Sequence, residues 1–483
     1  MPVDRSDRIP AHPPIAKGFL SREPTRMILM TPAMAAIGGL IAFFAVVGAV
    51  VILPTTTYDT PPSTNWIPVT NSAARGRNIY LSNGRVYCHS GYSRPQDNFR
   101  GLYYLYPRVS EPGDYWYGAE SPNVFGTERT GPDLSQEGGQ HPHDWQLAHY
   151  DNPRNTQPLS IMPVFSFLSD DEVKDLIAFN QSQGGKEATL RTAAQTVGKQ
   201  LMLINQGIDD PAKDFPDLVN ELKQGGTYRP NGSPMDTSPW GLPWMGVWMV
   251  NSFQRSYWLT SDPLPVTQEN LLKGKEIFLN RCVGCHGVRG DGGGPAIEFL
   301  LPNPFNFTDT TAMGVMGPFA SDGMFYYRIL TGGKGTAMEN FGTRLSVEDT
   351  WRVVMFLRTI QNDSLETPET IPTVDMWVQW TPPPPLQMYI NDHPIIQEPG
   401  TIADTQDDPF HAAAHWLSPG LAPGDTVLVG GKLPVDQATI VRLVRNTYFQ
   451  MVEQAYSDAQ GRAEKLPPKE EIMSTDGVVF HAP

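Results

Sequence analysis

The sequence predicts a mainly α-helical chain with one N-terminal transmembrane helix, two related helical domains, a loop-rich linker and a C-terminal extension. Its 483 residues suit about three domains. A long apolar run near the N-terminus predicts the transmembrane helix, and two segments repeat one pattern around a Cys-His pair. Three cysteines are too few for a disulfide framework, and a net charge of −15 argues against nucleic-acid binding.

The apolar run covers Ala33–Leu53, and its 21 residues are enough to span a bilayer core of about 30 Å. A cleaved signal peptide is the alternative, but the apolar part of such a peptide is shorter. Five basic residues precede the run, and the next basic residue after it is Arg75. The positive-inside rule therefore predicts a cytoplasmic segment at 1–26, a single-pass anchor in the cell membrane at 27–54 and a periplasmic location for the rest.

The clearest chemical motif is Cys282-Val283-Gly284-Cys285-His286, which has the C-x-x-C-H pattern of covalent haem attachment. Two thiols one helical turn apart can each bond a haem vinyl group, and the adjacent histidine can bind the iron. Half of a zinc site would share the spacing, but no other cysteine or histidine pair lies nearby to complete it. The sequence therefore predicts haem c on Cys282, Cys285 and His286.

The third cysteine lies in a second segment with the same plan. Cys88 and His89 keep the Cys-His pair, while Arg85 stands where the first cysteine would be. Gly76 precedes the histidine of this segment by 13 residues, and Gly274 precedes the other histidine by 12. The matching offsets indicate an internal duplication.

Each segment is also predicted to end in an apolar helix. Ser169 and Ser346 are each followed by an acidic residue three positions later, a pattern that caps helix N-termini. The apolar positions that follow have helical spacing. The duplication therefore predicts a first domain at 71–182 and a second domain at 267–362.

A haem used for electron transfer normally has a second axial ligand, often methionine. Met162 follows His89 by 73 residues and Met338 follows His286 by 52, and each precedes its closing helix. The sequence predicts both as axial ligands. A Gly-rich loop favours Met338 over the other methionines of the second domain, which are Met313, Met316 and Met324.

Several motifs of the first domain occur together: Gly76-Arg77-x-Ile79-Tyr80, His89-Ser90-x-x-x-Arg94-Pro95, Arg129-Thr130-Gly131-Pro132-Asp133-Leu134 and Met162-Pro163. With them, residues 71–180 resemble the periplasmic domain of the membrane-anchored monohaem cytochrome c subunit of C-family haem–copper oxidases. The resemblance implies that His89 and Met162 bind iron and that Cys88 forms a single thioether. Arg85 departs from the family pattern, and a degenerate domain without haem is the alternative.

The second domain carries Gly290-Asp291-Gly292, Pro302-x-Pro304 and Gly335-x-Ala337-Met338. With these motifs, residues 267–362 resemble a class I cytochrome c domain. Two class I cytochrome c-type helical domains are therefore expected, each with one haem c.

The linker at 183–266 contains an aromatic stretch, Trp240–Trp258, that suits a bilayer interface or a buried contact. A packed connector between the two domains is equally compatible with it.

The Pro-rich extension at 363–483 has no cysteine, and we expect it to be a docking surface for other subunits. A short strand is predicted at 426–428 and an amphipathic helix at 437–459. His411 and His415 are spaced to share a helix face as metal ligands, but no carboxylate accompanies them.

These features predict an electron-transfer subunit, not an enzyme: a dihaem c-type cytochrome that relays electrons in a respiratory complex, in the first place a haem–copper terminal oxidase. Its expected partners are a polytopic oxidase or reductase subunit and other cytochromes c as donors or acceptors. The alternatives are a subunit of a quinol-oxidising or nitric oxide-reducing complex, a dihaem peroxidase, and a structural subunit with one working haem. A peroxidase would need an open iron position, whereas both domains offer a methionine.

Overall fold

The computed structural model describes residues 31–53, 61–99, 108–115, 124–126, 128–223, 257, 260–311, 320–360, 369–382, 408–419, 421, 426–430 and 433–483. The chain divides into two compact units, Met1–Thr60 and Pro61–Pro483. Helices predominate in both, and the described strands form one two-stranded sheet.

The first unit contains helix α1 (Pro32–Val47), which continues as a π-helical turn at Gly48–Ile52. The Thr31 hydroxyl caps α1 by accepting from the backbone N–H of Met34. Together these residues form the one helix in the described part that is long and apolar enough to cross a membrane, with a mean hydropathy of 2.6 and no buried residue. The predicted anchor at 27–54 extends beyond the described residues at both ends.

The first domain contains helices α2 (Asn71–Ser82), α3 (Pro95–Phe99), α4 (His143–Asp151) and α5 (Asp170–Ser182). Helices α2 and α5 cross so closely that a Cβ at Gly76 would lie 1.8 Å from the carbonyl oxygen of Asp175. The predicted cap of α5 is confirmed, since Ser169 and Glu172 bond each other's backbone N–H. The core between the helices is apolar and includes Tyr80, Leu176, Ile177 and Phe179.

The linker differs from the loop-rich segment that the sequence predicts, because its described part is largely helical. It contains α6 (Gly185–Asn205), α7 (Pro211–Asp214) and α8 (Pro216–Lys223). Most apolar side chains of α6 are buried, Leu190 and Val197 completely. They pack against the C-terminal extension, a contact between segments far apart in the chain that no local pattern reveals.

The second domain repeats the crossing of the first. It contains α9 (Gln268–Arg281), α10 (Val283–His286), α11 (Asp322–Thr331) and α12 (Val347–Ile360). A Cβ at Gly274 would lie 2.0 Å from the carbonyl oxygen of Arg352, so α9 and α12 touch as α2 and α5 do. The Ser346 hydroxyl accepts from the N–H of Asp349, as predicted. The shared geometry supports the internal duplication.

The C-terminal extension contains α13 (Pro409–Leu417), the antiparallel strands β1 (Thr426–Val429) and β2 (Leu433–Asp436), α14 (Gln437–Gly461) and α15 (Lys469–Met473). The strand predicted at 426–428 and the helix predicted at 437–459 are therefore confirmed. Buried side chains of α14 and α6 share one core, which includes Val197, Val444, Tyr448 and Val452. This part of the extension packs on its own chain, and docking of other subunits stays a prediction.

Candidate haem sites

The C-x-x-C-H motif of the second domain lies at a helix end. Cys282 ends α9, and Cys285 and His286 lie in the short helix α10. The backbone N–H of His286 donates to the carbonyl of Cys282, with an N···O distance of 2.9 Å. Both thiols and the imidazole therefore lie within one turn, as covalent attachment and iron ligation at one haem require.

The imidazole of His286 is oriented for metal binding. Its Nδ1 lies 3.2 Å from the carbonyl oxygen of Phe305, which accepts a hydrogen bond only if Nδ1 carries the proton. Burial lowers the pKa of His286 to about 4, so the ring is neutral at pH 7. The lone pair then lies on Nε2, which would be free to bind a haem iron.

A cavity with mainly apolar walls lies against this motif. Cys282, Cys285, His286, Met324 and Met338 all line it. The other walls are largely aromatic or aliphatic, among them Phe278, Leu300, Phe305, Phe307, Phe341 and Leu357. Two thiols, a neutral imidazole and a thioether around an apolar cavity are the donor set of a haem c site, so these residues fit the cofactor.

The cavity wall also includes one buried cation, Arg328. Burial lowers the pKa of its guanidinium to about 10, so the group stays charged at neutral pH. Haem carries two propionates, and a buried guanidinium is a suitable partner for such a carboxylate. Arg328 is a haem-pocket residue that the sequence patterns do not single out.

The structure brings two of the candidate axial methionines to the cavity. Met338 lies in a tight turn in which the N–H of Gly333 donates to its carbonyl at 2.8 Å. Met324 lies in α11 and is also part of the domain core. Met313 and Met316 lie outside the described residues. Met338 as the axial ligand stays a prediction, supported by its position in the cavity wall.

A residue next to Met338 links the second domain to the first. The carboxylate of Glu339 accepts from the indole Nε1–H of Trp145 at 2.6 Å and from the Nε2 of Gln157 at 3.1 Å. Arg344 of the second domain pairs with the same carboxylate. The sequence analysis missed this cluster, because its members come from three separate segments. The first domain thus holds the loop that carries Met338.

Helix α6 holds the same loop from another side. The amide oxygen of Gln195 accepts from the N–H of Gly335 at 2.7 Å. A Cβ at Gly335 would lie 2.2 Å from the backbone nitrogen of Lys199, so the loop contacts the helix backbone directly. The linker helix is therefore part of the second haem site.

The first domain keeps the predicted histidine in a ligand-like orientation. His89 is buried, and its Nδ1 lies 2.8 Å from the carbonyl oxygen of Pro132. Burial lowers the pKa of His89, which favours the neutral ring. A Cβ at Gly131 would lie 2.3 Å from the ring, so the backbone fixes the ring on that side. Cys88, the predicted thioether residue, is exposed.

Arg85 occupies the space near the predicted sixth ligand of the first domain. Its side chain is 5% exposed, and its Nη2 lies 3.9 Å from the Sδ of Met162. The guanidinium carbon lies 4.4 Å from the ring centre of Tyr150 and 4.6 Å from that of Phe165. The structure therefore places Arg85 beside Met162 and against two aromatic rings, four residues before the buried His89.

The two domains meet at a stack of aromatic rings on α4 and on the segment just before it. His141 and Trp145 stack with centroids 3.8 Å apart, and Trp145 and His149 stack at 4.7 Å. His149 Nδ1 also lies 2.7 Å from the hydroxyl oxygen of Thr156, which lines the second-domain cavity. Trp145 and Cys285 belong to one apolar cluster. The stack is thus part of the contact that supports the second haem site.

Acid is expected to weaken this contact through His149. Burial lowers its pKa to about 3, whereas an unfolded histidine has a pKa near 6.5. Between these pH values the unfolded chain binds a proton at this histidine that the folded chain cannot bind. The stability that neutral His149 contributes is therefore complete above about pH 6.5. Below that pH the free energy of unfolding falls by up to about 1.4 kcal/mol per pH unit.

The change can be measured as the fall in melting temperature of the detergent-solubilised chain between pH 7 and pH 5. The variant His149→Gln keeps a polar group for Thr156 but cannot titrate, so it should lose less stability over this interval. Equal losses in both proteins would show that His149 is not the source.

Two further predictions concern other parts of the chain. His411 is 2.7 Å from a carboxylate oxygen of Asp408, and no cluster of three or more metal-binding side chains occurs in the part of the chain that the structure describes. The sequence analysis placed no carboxylate with His411 and His415, whereas the structure places Asp408 beside His411, without a third metal-binding side chain among the described residues. The aromatic stretch Trp240–Trp258 lies outside the described residues except for Tyr257.

Two regions of the chain match known protein families. Residues 19–199 match the family described as cytochrome c oxidase, mono-haem subunit (FixO), and residues 271–361 match the cytochrome c family. No curated protein gives a significant match. Among solved structures, a reducing HAO-like protein complex from Kuenenia stuttgartiensis matches 61% of this chain and 98% of its own, at 17% identity and a TM-score of 0.19. So low a score supports no inference about the fold.

The two matched regions follow each other along the chain and include the apolar helix, the first domain and nearly all of the second. Both resemblances seen in the motifs are therefore confirmed. The chain thus carries a region that matches the FixO family, described as the mono-haem subunit of cytochrome c oxidase, followed by a region that matches the cytochrome c family.

Proposed function

We propose that the chain is a membrane-anchored c-type cytochrome that relays single electrons as a subunit of a haem–copper terminal oxidase. The observation that carries the proposal is the second-domain cavity, whose lining includes Cys282, Cys285, His286 and Met338 among apolar side chains. In the sequence this domain follows the region that matches the FixO family. A bound haem c would supply the ferrous–ferric couple. The chain itself would transform no substrate, and oxygen reduction would take place in a polytopic partner.

The residues of the second domain have distinct tasks in this proposal. Cys282 and Cys285 bind the haem covalently, and His286 and Met338 bind the iron. The carbonyl of Phe305 fixes the tautomer of His286 and increases the basicity of its Nε2. The apolar walls exclude water, and methionine ligation together with a dry pocket keeps the reduction potential high.

The location and the partners follow from the anchor and the family. The basic residues before the apolar helix predict a cytoplasmic N-terminus, so residues 61–483 would face the periplasm. The net charge of −15 favours a basic cytochrome c as donor or acceptor. A second haem on Cys88, His89 and Met162 stays a prediction of the sequence.

The proposal is tested on the full chain purified from membranes in mild detergent. We expect a low-spin haem c that is covalently attached to the peptide containing Cys282 and Cys285. A polytopic haem–copper subunit should copurify with the chain. The reduced haem should be reoxidised by oxygen only when that subunit is present. As a matched control, Cys285→Ser should weaken or abolish covalent attachment without removing the anchor.

The direction of electron flow separates this proposal from its main alternative. In an oxidase subunit, a soluble cytochrome c reduces the chain, and oxygen reoxidises it through the partner. If a quinol reduces it instead, and a soluble cytochrome c reoxidises it, the chain is the cytochrome subunit of a quinol-oxidising complex. A high-spin haem that turns over peroxide would contradict both.

A further inference from the structure

We propose that the first domain binds no haem and that the side chain of Arg85 fills its haem pocket. The inference rests on the proposed function only in taking the second domain as the redox domain. The inference departs from the two haems that the sequence predicts. It assigns a packing role to Arg85, which stands where the first haem-binding cysteine would be.

The backbone places Arg85 where a haem-binding cysteine would be. The N–H of His89 donates to the carbonyl of Arg85 at 3.0 Å, as the N–H of His286 donates to that of Cys282 at 2.9 Å. Arg85 thus occupies the position in its own turn that Cys282 occupies in the second domain, three residues before Cys88. Because the turns match, the Cα–Cβ bond of Arg85 starts toward the pocket as that of Cys282 does.

The end of the side chain occupies the space that a porphyrin would need. A haem between His89 and Met162 requires its ring to pass directly beside the Sδ of Met162, and Arg85 Nη2 is 3.9 Å from that sulfur. The same guanidinium lies against the rings of Tyr150 and Phe165. In the second domain the space beside Met338 and Cys282 is an open cavity.

The remaining thiol differs from its counterpart in burial. Cys88 is exposed, whereas its counterpart Cys285 is half-buried, lines the cavity and packs in an apolar cluster. One thioether at the surface and a filled pocket are consistent with a domain that has lost its cofactor. His89 is buried, and Met162 packs partly buried against the domain core, so both have packing roles without a haem.

The arrangement also accounts for an unusual buried cation. Among the described residues, Nε and Nη1 of Arg85 make no hydrogen bond, and the polar contacts of the side chain are with the Tyr150 side chain and with the Sδ of Met162. Three aromatic rings surround the guanidinium instead, Tyr80 at 6.0 Å being the third. Cation–π attraction in a desolvated site offsets part of the cost of burial. The planar group occupies part of the volume beside Met162 that would otherwise be empty without a haem.

A domain filled in this way can still support its neighbour. Trp145 and Gln157 of the first domain hold Glu339 next to Met338, and neither contact needs a haem in the first domain. The first domain would then be retained as the platform that positions the Met338 loop.

The test is the haem content of the full chain, made in cells with c-type maturation and purified in detergent. We expect one haem per chain by pyridine haemochrome, and a Cys88 peptide of unmodified mass whose thiol reacts with maleimide. Two haems, or a haem-modified Cys88 peptide, would overturn the inference. Loss of haem from the Cys282–Cys285 peptide would instead overturn the proposed function, so the two failures are distinguishable.

The role of the side chain is tested separately by thermal unfolding of Arg85→Ala and Arg85→Lys. If Arg85 fills the pocket, alanine should lower the melting temperature by several degrees. Lysine, which keeps the charge but not the planar group, should recover only part of that loss. An alanine variant as stable as the wild-type chain would refute the filling role. The haem count decides the first half of the inference even if a variant fails to fold.

Discussion

Gly274→Ala is expected to prevent stable folding of the second domain. The new Cβ would lie 2.0 Å from the carbonyl oxygen and 2.7 Å from the carbonyl carbon of Arg352, and both atoms are backbone. Backbone cannot rotate away as a side chain can, so α9 and α12 would have to separate. The core between them contains Phe278 and Phe356, whose ring centres are 5.4 Å apart, and it would open. We expect a destabilisation of about 3 kcal/mol or more.

The measurement is thermal unfolding of the full chain, followed by the haem absorbance of the second domain, together with the yield of covalent haem. Gly461→Ala is the matched control, since nothing lies within 4 Å of the added Cβ at the end of α14. It should change stability by less than about 1 kcal/mol. If both variants melt like the wild-type chain, the crossing of α9 and α12 is not as close as the structure has it.

The equivalence of Gly76 and Gly274 shows what local sequence can predict. Their similar offsets from the two histidines indicate one fold used twice, and both glycines lie where two helices touch. The caps at Ser169 and Ser346 and the helical turn of the C-x-x-C-H motif were also predictable. Each depends on residues within a few positions of one another, where spacing fixes geometry.

Other parts depend on contacts that spacing does not encode. The cluster around Glu339 joins side chains from both domains, and α6 is buried by an extension far along the chain. Arg85 was visible in the sequence as a departure from the pattern. Its burial beside Met162 was not visible, because the direction of a long side chain depends on the core around it. Tertiary packing decides these features.

The second large effect is expected at Met338, the predicted sixth ligand of the haem iron in the second domain. Met338→Leu should keep the covalent haem, because Cys282 and Cys285 are unchanged, but it should remove the Met–iron absorption band. The reduction potential should fall by on the order of 0.1 V, within the ~0.8 V range that axial ligands set. Leucine has nearly the volume of methionine, so the fold should remain. Absorption spectra and a potentiometric titration of the full chain measure both changes.

Met324→Leu is the control that makes this assignment decisive. Met324 lines the same cavity and is 4% exposed, but it lies in α11 within the domain core. If Met338 binds the iron, the Met324 variant keeps both the Met–iron absorption band and the reduction potential. If the Met324 variant loses them and the Met338 variant keeps them, Met324 in α11 is the axial ligand instead. Met162→Leu extends the comparison to the first domain. With Arg85 in the pocket, that variant should leave the haem spectrum unchanged, because the only iron is then held between His286 and Met338.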